Sequence, residues 1–241
     1  MFDRLHRLAR RPSAYLALGS TVVLVIVVVA DGLGVSEMSD AIAVESASGS
    51  APAPPGRPPA TAAPTSAPLP TIALVGDSLL AMAIPQLEQV LAGYDLTFDA
   101  RPGWTMDMQL AHAVEMAADG PDAMVVVLGA NDASPEVFSR TEMERDVARL
   151  LDSIDSVPCI RWVTVQEDFY VDGFEEGEVG TLTLNVSLYR EASRRPSLEV
   201  VDFAPIINEQ PDWHVMDLLH LDERGSRSMA ELIAVSLDCV R

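Results

Sequence analysis

From Thr71 onward, apolar and polar positions alternate between two periods. Short β-branched or apolar runs occur at Thr71–Val75, Leu96–Ala100, Ala123–Leu128, Ile160–Val165 and Leu198–Asp202. Between and after them, residues 79–91, 105–118, 140–156, 180–193 and 222–238 carry apolar residues at helical spacing. The third run contains Met124-Val125-Val126-Val127-Leu128. It is apolar on both faces, as a strand buried within a parallel sheet must be. Acidic Glu142 and Glu144 stand near the start of the third helix, where the macrodipole favours them. Strand and helix alternating over about 170 residues predict a three-layer α/β/α sandwich around a mainly parallel five-stranded sheet with right-handed crossovers.

Upstream of this domain the pattern changes twice. Residues 1–13 hold Arg4, Arg7, Arg10 and Arg11 against one acid, Asp3. Residues 12–30 carry no charge and end in a Val-rich run. As a helix they would span roughly 28 Å, close to the hydrocarbon thickness of a bilayer. This predicts a cytoplasmic tail (1–13) and a transmembrane anchor or signal segment (14–30), with the remainder exported. A cleaved signal peptide is the alternative, and Val28-Val29-Ala30 or Ala41-Ile42-Ala43 would then be the cleavage site. An uncleaved anchor is favoured, because signal peptides have shorter apolar cores of about 7–15 residues. Residues 31–70 form a Pro/Ala-rich linker with eight prolines between positions 51 and 70. That density excludes a helix interior or a central strand. An extended tether of about 60 Å, holding the domain off the membrane, is expected over those twenty residues.

Charge narrows the partners. The chain carries 16 basic residues, all Arg, and 36 acidic ones, a net charge of −20. Such a surface repels phosphate backbones and excludes nucleic acid as a ready partner. The two cysteines, Cys159 and Cys239, both lie in the exported part. The start of the fourth strand and the end of the last helix fall on the same rim of a parallel sheet. A Cys159–Cys239 disulfide is therefore expected. Neither spacing nor ligand count supports a metal site, and no cofactor is implied.

Four short motifs occur in order: Gly76-Asp77-Ser78-Leu79, then Gly103 within Arg101-Pro102-Gly103-Trp104, then Gly129-Ala130-Asn131-Asp132, then Asp217-Leu218-Leu219-His220 followed by Leu221 and Gly225. Ser78, Gly103 and Asn131 follow the first three strands and His220 precedes the last helix, so all four fall on the carboxyl rim of the sheet, where ligands gather in such folds. A serine hydroxyl needs an adjacent base, the base a carboxylate to orient it, and the developing oxyanion a set of donors. These residue types supply all three.

The four blocks resemble those of the SGNH, or GDSL, hydrolases, over about residues 71–241. The resemblance implies the flavodoxin-like SGNH fold, a catalytic set of Ser78 (nucleophile), His220 (base) and Asp217 (orienting the imidazole), and an oxyanion hole from the Ser78 N–H, the Gly103 N–H and the Asn131 side-chain amide. It also implies O-acyl ester substrates on small molecules, glycans or lipids, with small acyl groups such as acetyl foremost. Asp77 and Asp132 are expected to tie loops together by hydrogen bonds. His214 is the rival base, though without the motif's spacing. His112 falls mid-helix and reads as structural, while His6 lies on the tail. Trp104 and Trp213 are candidates to border the cleft, and the loop Glu167–Gly180 is a candidate lid. Two alternatives stay open. One is an O-acyltransferase acting on envelope glycans, since the strand Cys159–Val165 looks similar to domains attached to envelope acyltransferases. The other is a non-catalytic envelope-binding module. Oligomeric state is not determined by the sequence.

Overall fold

The computed structural model describes residues 68–167, 175–215, 217 and 219–240. The tail, the anchor or signal segment and nearly all of the linker lie outside the described residues. Among the described residues, no helix is long and apolar enough to cross a membrane.

Five strands form one sheet: β1 (Thr71–Gly76), β2 (Asp95–Ala100), β3 (Ala123–Val127), β4 (Ile160–Val163) and β5 (Leu198–Val201). Their order is β2-β1-β3-β4-β5, with every pairing parallel. Val75 sits beside Val126, Val126 beside Trp162, and Trp162 beside Val200. β3 is buried at all five positions, as its unbroken apolar run requires, and β4 at all four. The edge strand β2 instead alternates exposed and half-buried residues at its start.

Six helices, α1 (Ser78–Val90), α2 (Met106–Ala118), α3 (Arg140–Ser153), α4 (Glu175–Ala192), α5 (Ala204–Asn208) and α6 (Glu223–Ser236), complete the layers. α1 packs against α6, while α3 packs against both α2 and α4. Right-handed crossovers require this division. The chain steps one way across the sheet from β1 to β2 and the other way from β2 through β5. α6 buries Gly225, Ser226, Met229, Ala230 and Ile233, a stripe at helical spacing.

The order of strands reverses between β1 and β3. Both strands leave that crevice at their carboxyl ends, the position where α/β sheets bind ligands. At the opposite rim, Cys159 and Cys239 form the expected disulfide, with Cα atoms 6.2 Å apart. Beside it the buried Arg161 donates to the Ser236 carbonyl at 2.6 Å, one of the orphan acceptors at the end of α6, and pairs with Glu199 at 3.0 Å and Asp238 at 3.4 Å. The sequence marks Arg161 only as a strand residue. In the fold it anchors the end of α6 to β4.

Several boundaries differ from expectation. β4 ends at Val163 rather than Val165. The Asn185 side chain of α4 takes over there, accepting from the Val165 N–H at 3.1 Å and donating to the Val165 carbonyl at 2.9 Å. The candidate lid Glu167–Gly180 is shorter than expected, because α4 already begins at Glu175; residues 168–174 lie outside the described residues. α5 and the 3-10 turn Pro211–Trp213 were not anticipated. Neither is long enough to show a period.

Candidate active site

Ser78 occupies the first position of α1, directly after β1. Gly76 makes this abrupt turn possible. A Cβ there would lie 2.5 Å from Leu80 Cβ and 2.7 Å from the Val127 carbonyl oxygen, so any side chain would push α1 off the strand. Asp77 caps the helix: its Oδ1 accepts from the Leu79 N–H at 2.9 Å. The turn leaves Ser78 partly exposed at a helix N-terminus, where unpaired N–H groups and the macrodipole favour negative charge.

His220 reaches Ser78 from the other end of the chain. Its Nε2 lies 2.8 Å from Ser78 Oγ, and its Nδ1 lies 2.6 Å from Asp217 Oδ2. Asp217 Oδ1 accepts the backbone N–H groups of Leu219 and His220, at 3.0 and 2.9 Å. Partial burial raises the Asp217 carboxyl, but the His220 ring and these two amides outweigh it and hold the group below the usual carboxylate value. The loop carrying both residues is closed at its base. The Val215 N–H donates to the His220 carbonyl at 2.8 Å, and the Asp222 N–H donates to the Trp213 carbonyl at 2.8 Å. Asp222 then caps α6 through the Arg224 and Gly225 amides. A Cβ on Gly225 would stand 2.8 Å from the Trp213 carbonyl oxygen, which explains the glycine of this motif.

Gly103 sits at the third position of a turn in which the Trp104 N–H donates to the Arg101 carbonyl at 3.1 Å. Its φ is +79°, and Pro102 precedes it. This is a type II turn, which requires positive φ at that position. The Arg101 N–H donates to the Gly76 carbonyl at 2.9 Å, fastening the turn to the end of β1. Asn131 ties the same segment from the other side, as its Nδ2 donates to the Trp104 carbonyl at 3.0 Å. The second Asn131 N–H meets Asp77 Oδ2 at 3.4 Å, beyond the usual range for a strong bond. Asp132 accepts from the Met106 N–H, at 3.1 and 3.2 Å to its two oxygens, and so caps α2 from a distance.

Asp77 and Asp132 therefore tie loops, as expected. Burial pushes the Asp77 carboxyl up to about 7 against the opposing Leu79 amide, with the nearby Asp132 charge adding to the rise. Burial likewise raises Asp132 to about 6 against its bond from Met106.

The sequence marks Gly129 only as part of a motif. Its φ is +116°, and a Cβ there would come within 2.3 Å of Leu184 Cδ2 on α4. Gly180 on α4 is as tight, since its Cβ would stand 2.5 Å from the Ala133 carbonyl oxygen. Two glycines thus let α4 lie directly on the Asn131 loop. Gly180 had no signal in a single sequence beyond being a glycine in a helical pattern.

The remaining candidates separate. His214 makes an antiparallel bridge with Leu221, and its Nδ1 lies 3.4 Å from the Pro211 carbonyl oxygen. It is His220, not His214, that meets Ser78. His112 holds Asp99 Oδ2 at 2.8 Å and packs edge-on to the Trp104 ring at 5.2 Å, a structural role. Trp104 is half-buried and adjoins the Asn131 amide through its carbonyl. Trp213 is also half-buried and braces the His220 loop through its backbone.

Ser78, His220 and Asp217 are thus hydrogen-bonded in series at the carboxyl rim of a parallel 2-1-3-4-5 sheet. Solved structures share this fold. The chain is similar to the C-terminal catalytic domain of peptidoglycan O-acetyltransferase A from Streptococcus pneumoniae, at 17% identity over 71% of this chain and 92% of that one, with a TM-score of 0.55. It is similar to a lipase/acylhydrolase from Enterococcus faecalis, at 19% identity over 70% and 95%, with a TM-score of 0.61. It also resembles a member of the lipolytic protein G-D-S-L family from Veillonella parvula, at 17% identity over 67% and 94%, with a TM-score of 0.58. At these identities the likeness is one of fold. No protein-family model matches the chain, and no curated protein does.

Proposed function

We propose that the protein is a serine esterase that hydrolyses O-acyl esters through an acyl-enzyme on Ser78. The observation that carries this reading is the hydrogen-bonded series Asp217–His220–Ser78. His220 Nε2 takes the Ser78 proton as Oγ attacks the ester carbonyl, then returns it to the leaving alkoxide. Asp217 holds the imidazole with Nδ1–H toward the carboxylate and stabilises the cation that forms. Water, activated by the same base, then releases the acid.

The oxyanion of each tetrahedral intermediate is met by the Ser78 N–H at the start of α1, the Gly103 N–H and the Asn131 amide. Asn131 keeps one proton on the Trp104 carbonyl, which fixes the amide plane. Its second proton, held only weakly by Asp77 Oδ2 at 3.4 Å, is the one the oxyanion would compete for. The expected result is that residues 71–241 hydrolyse p-nitrophenyl acetate and that Ser78→Ala abolishes the activity. Undiminished turnover by Ser78→Ala would refute the reading. A module without catalysis would also fail to react with a fluorophosphonate probe.

Acyl transfer is a second reading, favoured by the likeness to the catalytic domain of a peptidoglycan O-acetyltransferase. Only the acceptor differs, a sugar hydroxyl in place of water. Product analysis with an added glycan acceptor separates the two. The proposed site of action is outside the cytoplasm, a reading supported by the basic, then apolar N-terminal sequence and by a disulfide of the kind that persists in oxidising compartments.

A further inference from the structure

Beside the site lies a cavity of about 20 Å³, room for little more than one water-sized group. Its wall includes Leu79, Ala130 and Leu219, the immediate chain neighbours of Ser78, Asn131 and His220. Val127 and Val163, at the carboxyl ends of β3 and β4, also line it, as do Ile207 of α5 and Met229 of α6. Ala130 and Leu219 are partly exposed, whereas Val127, Val163, Ile207 and Met229 are each 1% exposed. Thr164, Gln166 and Thr181 also contribute to the wall, so the cavity is mainly rather than wholly apolar; packed core side chains form much of it, and its partly exposed members Ala130 and Leu219 adjoin Asn131 and His220 in the chain.

We propose that this cavity receives the acyl group of the substrate and restricts it to acetyl or a chain of similar length, with Met229 and Ile207 as the stop. The proposal rests on the serine esterase reading and adds the acyl specificity. An ester carbonyl attacked by Ser78 must place its acyl carbon on one side of the nucleophile and its alcohol on the other. A methyl group enters a water-sized, mainly apolar cavity with gain of burial. A longer chain meets β3, β4 and α6, whose close packing does not yield without strain. Met229 is the stop most open to change, since α6 presents it to the cavity from the helix that follows His220.

The test compares p-nitrophenyl acetate, butyrate and octanoate with the wild-type protein and with Met229→Ala and Ile207→Ala. The wild type is expected to favour acetate over octanoate by about ten-fold or more in kcat/KM, the scale on which apolar pockets discriminate chain length. Each variant that retains its circular dichroism spectrum is expected to shift that ratio toward the longer esters. Octanoate turned over as fast as acetate by the wild type overturns the cavity's role and leaves the esterase reading standing. So do folded variants with an unchanged profile. Failure to hydrolyse any of the three esters, with Ser78 unlabelled by a fluorophosphonate, overturns both readings. The wild-type profile needs no variant, so a variant that does not fold leaves the proposal falsifiable.

Discussion

At the scale of single residues, two buried carboxylates hold the site's loops and do so against their own solvation. Asp77 and Asp132 cap α1 and α2, yet burial lifts both well above the usual range, to about 7 and about 6. A carboxyl whose pKa is higher folded than unfolded binds more protons in the native state between the two values. Its contribution is therefore favourable at low pH and is lost as pH rises through the folded value. For Asp132 that window runs from the ordinary value of 3.8 to about 6. Asp132→Asn keeps a carbonyl oxygen for the Met106 amide and removes the charge. Urea midpoints at pH 4, 6 and 8 are expected to show little change at pH 4 and a gain on the order of 1–3 kcal/mol at pH 8. A variant less stable than wild type at pH 8 would show that the Met106 bond needs the charge.

At the scale of elements, the site depends on how closely helices approach loops. α4 rests on the Asn131 loop because Gly129 and Gly180 have no side chains, and Gly129 in addition holds a backbone angle that L residues rarely adopt. Gly129→Ala combines a left-handed strain of about 1–2 kcal/mol with a clash against Leu184. The expected outcome is a lower unfolding midpoint and a drop in kcat larger than any change in KM, since Asn131 lies two residues further along the displaced loop. Gly103→Ala differs, because no atom lies within 4 Å of the added carbon. Only the φ strain remains, so it should be the milder change. Equal damage from both would mean that the packing of α4 adds nothing.

At the scale of the whole molecule, chemistry and fastening occupy opposite rims. Ser78, Asn131 and His220 gather at the carboxyl ends of the strands. The Cys159–Cys239 bond and Arg161 close the other end, holding the last turn to β4. The disulfide spans 80 positions, and the chain-entropy model sets its contribution at up to about 4.5 kcal/mol. The double change Cys159→Ser with Cys239→Ser is expected to lower the melting temperature by several degrees while leaving kcat on p-nitrophenyl acetate near the wild-type value at 25 °C. A large loss of kcat in the still-folded protein would mean that the two rims are coupled through α6.

The five strands, five of the six helices among the described residues, and the residue types that form the hydrogen-bonded series Asp217–His220–Ser78 were legible in the chain, for a physical reason. Burial on both faces of a parallel strand writes itself as an apolar run, and motif residues keep fixed distances from strand ends. Those signals are local. What only the tertiary structure decided is long-range: Asn185 finishing the work of β4, Arg161 holding the end of α6, Gly180 admitting α4 to the Asn131 loop, and the shape of the cavity beside Ser78. Each depends on which surfaces meet after folding. Residues separated by tens of positions have no periodicity to announce that meeting.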